Sequence, residues 1–156
     1  RLAGRSADLV FVTPRDDTDA VGILGQVRDE QDRAGRAGEP VHVLGDLVVF
    51  LDADPHAAHE RKARLDERLG RELVSDAQVF VGTPADLAEL ILDWQQAGLS
   101  GVRLRPGALP YDLHRITREL VPELQRRGAF RSGYAADTLR GHFGLPRPAN
   151  RYATVD

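Results

Sequence analysis

Residues 82–104, GTPADLAELILDWQQAGLSGVRL, constrain the fold more than any other stretch of the chain. Thr83 followed by Pro84 has the chemistry of a helix N-cap with proline at the first helical position, where the missing N–H is not needed. Asp86 falls in the first turn, where the positive end of the helix dipole favours a carboxylate. Leu87, Leu90, Ile91 and Trp94 recur at i, i+3, i+4 and i+7, so one helix face is apolar. Gly98 stands where a helix ends in the left-handed conformation. GVRLR, residues 101–105, follows at once as a strand. A capped helix so closely linked to a strand is a unit of an alternating α/β architecture.

The rest of the chain repeats the pattern. Residues 8–13, DLVFVT, place Val10, Phe11 and Val12 in succession, as a strand covered on both faces does. Residues 17–35 carry Val21, Leu24 and Val27 at helical spacing, with Thr18 as the expected N-cap and a stop at Gly35 or Gly38. VHVLGDLVVFLDA, residues 41–53, reads as a second strand ending near Asp52, in which Gly45 marks a bulge or a close approach. Asp54 and Pro55 open a charged helix that ends near Gly70, and residues 71–78 form a polar connection. The last long helix begins at Pro110, with Leu113, Ile116, Leu120 and Leu124 on one side, and Pro122 is expected to kink or split it. The order β-α-β-α-β-α-β-α with short links predicts parallel strands and right-handed crossovers. Residues 1–128 form the α/β part. Residues 129–156 read as a tail along its surface, anchored by Phe130, Tyr134, Leu139, Phe143 and Leu145.

Composition narrows the function. The 156 residues suffice for one domain with a core. A formal charge of -3 with no basic block gives little support to nucleic-acid or anionic-membrane binding. No apolar run approaches the roughly 20 residues of a membrane helix, and the opening RLAGRSAD lacks the apolar core of a signal peptide. The absence of cysteine excludes disulfides, thiolate zinc sites and cysteine nucleophiles, and fits a cytoplasmic protein. The chain has no methionine, not even at position 1, so a cut from a longer polypeptide is expected.

Four pieces carry a family resemblance: LAGRSADLVFVT (2–13), FVGTPADLAELILDWQQAGLSGVRL (80–104), LVPELQRRGAFRSGY (120–134) and TLRGHFGLPRPANRY (138–152). Together they resemble the C-terminal portion of the bacterial luciferase-like, flavin-dependent monooxygenases, of the nitrilotriacetate monooxygenase type. The resemblance implies the later β/α units of a TIM-like (β/α)8 barrel followed by a C-terminal tail, with the barrel incomplete in this chain. It implies reduced FMN as cosubstrate, with the deazaflavin F420 as a close variant, together with molecular oxygen, a small organic substrate and a separate flavin reductase. It also places the family's phosphate-gripping loop upstream of Arg1. Relative to the family, the link between Leu69 and Phe80 is short, and the aspartate-glycine-phenylalanine of the last strand reads Ser100-Gly101-Val102.

In such a barrel the reacting groups gather at the C-terminal ends of the strands. That selects Thr13, Asp52, Arg103 and Arg105. Arg103 and Arg105 alternate with apolar neighbours and share one face, so they either point into the barrel towards the flavin phosphate or an anionic substrate, or outward to carboxylates on the covering helices. Thr13, Arg103 and Arg105 are the candidate cofactor-binding residues. Thr13 and Asp52 equally suit capping of the turns that follow them. His56, His59 and Glu60 have helical metal-ligand spacing but lack an evident third ligand, so a solvated face is expected and no metal is assigned. His42, His114 and His142 read as structural, and Arg126, Arg127, Arg131, Arg140, Arg147 and Arg151 as a solvated or ion-paired face. The competing expectation is a non-catalytic α/β half-barrel that covers its open sheet edges by self-association or with another chain, and a homo-oligomer is expected in either case.

Overall fold

The computed structural model describes residues 1–150 and 152. Its organising element is β2 (His42–Leu51), ten residues long and buried along most of its length. Strand β1 (Leu9–Val12) pairs in parallel with the first half of β2, from Leu9↔His42 to Val12↔Gly45. Strand β3 (Gln78–Gly82) pairs in parallel with the second half, from Leu47↔Gln78 to Leu51↔Gly82. Strand β4 (Gly101–Pro106) runs parallel along the middle, from Leu44↔Gly101 to Val49↔Pro106. Since β4 overlaps both pairings, it lies on one edge of β2, while β1 and β3 follow each other along the other. The predicted all-parallel alternation is thus present, with helices between successive strands.

Strand alternation sends the two faces to different environments. Val43, Leu47, Val49 and Leu51 face a core built from Ala20, Leu24 and Val27 of α2 (Asp17–Arg33), from Leu87, Ala88, Ile91 and Trp94 of α4 (Pro84–Ala97), and from Leu120 and Leu124 near the end of the chain's last long helix. Gly45 belongs to this face. A Cβ there would lie 2.7 Å from Trp94 Cε3 and nearer still to Cζ3. The glycine therefore marks a close approach, and the uninterrupted register through it shows no bulge.

Helix ends follow local chemistry. Thr83 and Asp86 form the reciprocal cap expected of them, and Gly98 closes α4 at φ 110°. Asp54 caps α3 (Pro55–Leu69), and Gly70 ends it at φ 74°. The start of α2 differs from expectation. Asp16, not Thr18, is its N-cap, accepting from Asp19 N at 2.8 Å, while Asp19 accepts from Arg15 N at 3.0 Å. Three acids flank Thr18, and aspartate caps at least as well as threonine.

The last long helix is not split at Pro122. It runs as α5 (Tyr111–Arg115), a π-helical turn over Ile116–Leu120, and α6 (Val121–Arg126). Pro122 has no N–H to donate and its ring crowds the carbonyl four residues back. The widened turn, in which Val121 N–H reaches Ile116 O, absorbs that mismatch. Short helices α1 (Leu2–Ser6) and α7 (Leu139–His142) complete the elements. Of the expected tail anchors, Leu145 is buried, Phe143 is half-buried, and Phe130, Tyr134 and Leu139 are exposed. The tail is held largely by polar contacts instead: His42 Nε2 lies 2.7 Å from Phe143 O, and Arg140 donates to Asp8 at 2.7 Å. Arg151 lies outside the described residues.

Candidate functional site

The sheet face opposite the helices carries Leu9 and Phe11 of β1, Leu44, Asp46, Val48 and Phe50 of β2, Val79 and Val81 of β3, and Arg103 and Arg105 of β4, as the registers require. Both arginines thus point away from the covering helices. They lie across β2 instead. Arg103 Nη2 bonds Asp46, and its guanidinium rests 4.3 Å from the centre of the Phe11 ring on β1. Arg105 Nη2 approaches Asp46 at 3.8 Å and bonds Asp76, just before β3, at 2.9 Å. Together the two side chains roof Asp46, which is only 2% exposed although it sits on an open face.

Charge explains this arrangement. A carboxylate in an apolar strand is costly unless paired, and Asp46 has two guanidinium groups to pair with. Hydrogen bonding to Asp46, then its charge, raises the Arg103 pKa further. Bonding to Arg105 holds the Asp76 carboxyl below its usual range. Thr13, exposed at the end of β1, lines an open cleft of about 480 Å3 with Arg15, Asp19, Ser75, Asp76 and Gln78. Asp76, which lines that cleft, also pairs with Arg105.

A second polar cluster crowns the C-terminal end of β2. Asp112, fully buried, accepts from Leu51 N at 2.8 Å, from Ala108 N at 2.7 Å and from the Arg61 guanidinium. Arg61 also donates to Leu51 O at 3.1 Å and stacks over Tyr111 at 4.5 Å. Asp52 accepts from Ala53 N at 2.8 Å, from the Tyr111 hydroxyl at 2.9 Å and from Arg115 at 3.0 Å. Burial pushes the Asp52 carboxyl up, but these bonds and the Arg115 and Arg61 charges outweigh it and hold the pKa low. Bonding to Tyr111, then to Glu119, pushes Arg115 higher. Asp52 therefore ties the start of the last helix to β2, while Asp54 caps the helix that follows it.

His56 and Glu60 are exposed, as a solvated helix face would be. His59 Nδ1 lies 2.7 Å from Pro55 O, and His56 lies 3.8 Å from Glu60. Among the described residues, no group of three or more metal-binding side chains converges. Arg126 and Arg127 pair with Glu123, and Arg131 stacks on Phe130 and Tyr134. Among the described residues, no helix is long and apolar enough to cross a membrane. Sequence reasoning missed Asp46, Asp76, Arg61, Tyr111, Asp112 and Arg115. Asp46 had a legible signal, a lone carboxylate inside the apolar run LGDLVVF, which demands a basic partner. Asp112 had none, because apart from the local Ala108 N–H its partners, Arg61 and Leu51, lie 51 and 61 residues away.

No protein-family model matches the chain. Nitrilotriacetate monooxygenase component A of Aminobacter aminovorans is 41% identical over 213 residues, an alignment that covers 97% of this chain and 47% of that protein. The aligned span exceeds the 156 residues here, so the relative carries insertions that this chain lacks. The chain belongs to the luciferase-like flavin-dependent monooxygenases. N-acetyl-S-(2-succino)cysteine monooxygenase of Bacillus subtilis is 43% identical over 76 residues, 48% of this chain and 17% of the relative. EDTA monooxygenase from Chelativorans sp. BNC1 superposes with a TM-score of 0.75 at 20% identity, over 93% of this chain and 48% of that one, which is a likeness of fold. The chain spans about half the length of the nitrilotriacetate monooxygenase component.

Proposed function

We propose that this chain supplies the later β/α units of a (β/α)8 barrel in a flavin-dependent monooxygenase that oxidises a small organic substrate with reduced FMN and oxygen, the reduced flavin coming from a separate reductase. The observation that carries this reading is the 41% identity with nitrilotriacetate monooxygenase component A across 97% of the chain. In this reading residues 1–128 belong to the barrel and residues 129–156 pack on it, with the earlier strands supplied by further polypeptide.

The residues present suit such a ligand. Arg103 keeps Nε and Nη1 without hydrogen-bond partners among the described residues, Phe11 offers a half-exposed ring beside it, and Thr13 lies in the cleft that Asp76 also lines. Guanidinium forks match planar oxyanions, and an aromatic ring accepts a flat ring system. We therefore assign Thr13, Arg103 and Arg105 to the flavin or substrate surface. Reduced flavin, when bound, supplies the oxygen chemistry. The chain's own part is to orient and to exclude water: the apolar side chains Leu9, Leu44, Val48, Val79 and Val81 line the face, and Asp46 fixes the two arginines.

Two relatives bear names of polycarboxylates, nitrilotriacetate and a succinylated cysteine. A pair of arginines on the open face suits a substrate of that chemical kind. The test is a titration with FMN, oxidised and reduced, read by flavin fluorescence and calorimetry, on this chain and on a longer polypeptide that extends upstream. Binding by the longer form is expected. Failure of both forms to bind FMN would overturn the reading, and preference for F420 would replace the cofactor.

A second reading has its own support. Within the described sheet, β4 pairs only with β2, as do β1 and β3, leaving the outer edges without ladder partners. A non-catalytic module that covers those edges by self-association would also fit. Absence of flavin binding together with a stable homo-oligomer would favour it.

A further inference from the structure

The Arg103–Arg105 pair is unevenly balanced by charge. Asp46 is an inner counter-ion, 2% exposed and held from both sides. Asp76 is an outer one. Its side chain is 73% exposed, it sits on the connection between α3 and β3, and among the described residues it meets one guanidinium, that of Arg105. An exposed pair of that kind contributes little to stability. Arg105 is also poorly satisfied where it lies: its Nε is buried without a partner among the described residues, as is Asp46 Oδ1. A side chain with an orphaned donor loses little by moving towards a better acceptor.

We propose that Arg103 and Arg105 form an oxyanion-binding subsite and that Asp76 is its built-in competitor, a carboxylate that an incoming carboxylate or phosphate displaces from Arg105. The two arginines stand about 6.5 Å apart along β4, so one anionic group, or two groups of one polyanion, bridges them once Asp76 swings out. Asp46 stays in place and sets the net charge of the subsite to one positive unit after displacement. The proposal rests on the flavin-site reading only for the identity of the ligand. The shared chemistry is an oxyanion, from a flavin phosphate or from a substrate carboxylate.

The test is calorimetric and NMR titration at fixed ionic strength with nitrilotriacetate, inorganic phosphate, FMN and riboflavin. Asp76→Asn is expected to tighten anion binding about two- to fivefold. Arg105→Gln and Arg103→Gln are each expected to weaken it roughly tenfold or more. Adding Asp76→Asn to Arg105→Gln should then change nothing, since the competition is gone. Glu72→Gln removes the same charge from the same connection and is expected to leave affinity unaltered. A gain with FMN but not riboflavin identifies the phosphate as the source, and a gain with nitrilotriacetate identifies the carboxylate. Unchanged affinity in Asp76→Asn, an equal gain in Glu72→Gln, or no anion binding at all would overturn the subsite. Intact FMN binding in that event would leave the flavin reading standing. Anion binding with the expected variant pattern but no flavin affinity would do the reverse.

Discussion

Asp112 shows what one buried carboxylate does for this fold. It is fully buried, and its two oxygens take the N–H groups of Leu51 and Ala108 and the Arg61 guanidinium. Removing it leaves a largely buried guanidinium short of its partner and two backbone donors unpaired. Breaking a buried pair from one side costs about 3–5 kcal/mol. Asp112→Ala is therefore expected to lose that much stability in urea denaturation, and a loss under 1 kcal/mol would refute the assigned role. Acid acts on the same class of contact. Bonds from Arg126 and Arg127 pull the Glu123 carboxyl from 4.5 down to about 2. A carboxylate with a depressed folded value stabilises the protein above its unfolded value and loses that contribution as pH falls towards the folded one. Asp52, also held low, acts in the same direction below its ordinary 3.8. Melting temperature followed by circular dichroism should fall between about pH 4.5 and pH 2, and less steeply in Glu123→Gln.

At the scale of elements, local chemistry was legible and distant pairing was not. The cap at Thr83 and Asp86, and the proline and glycine that open and close α3 and α4, are written within a few residues, and the structure follows them. Gly45 was readable as an anomaly within a strand, although its cause, the Trp94 ring of α4, lies 49 positions on. Gly45→Ala drives a methyl group into that ring, which cannot retreat because it is fully buried. Overpacking of a tight core costs about 1–3 kcal/mol, so the midpoint of chemical denaturation should drop accordingly, and an unchanged midpoint would show that α4 can shift. The direction of Arg103 and Arg105 was not decidable from alternation alone. It depends on Asp46 and Asp76, 57 and 29 residues away. The π-helical turn was equally hidden. Pro122 announces that the helical ladder must fail near it, yet whether the chain bends or widens depends on how Leu120 and Leu124 seat in the core.

At the scale of the whole molecule, the sheet has two unlike faces. One is sealed by α2, α4 and the last helix. The other presents Phe11, 47% exposed, and the roof formed by Arg103 and Arg105. Its outer edges carry backbone donors and acceptors without ladder partners among the described strands. Such edges are templates for pairing with another strand. This combination motivates the last prediction. In isolation the 156-residue chain should associate in a concentration-dependent way, seen as a rising weight-average mass in sedimentation. Its melting temperature should rise with concentration, because association stabilises the folded state by mass action. In a longer polypeptide that supplies the neighbouring strands, the same edges are filled from within, and the concentration dependence of melting should weaken. A monomer that melts sharply at every concentration would show that the edges need no partner. The open face would then be a surface in its own right, and its arginine pair the feature left to explain.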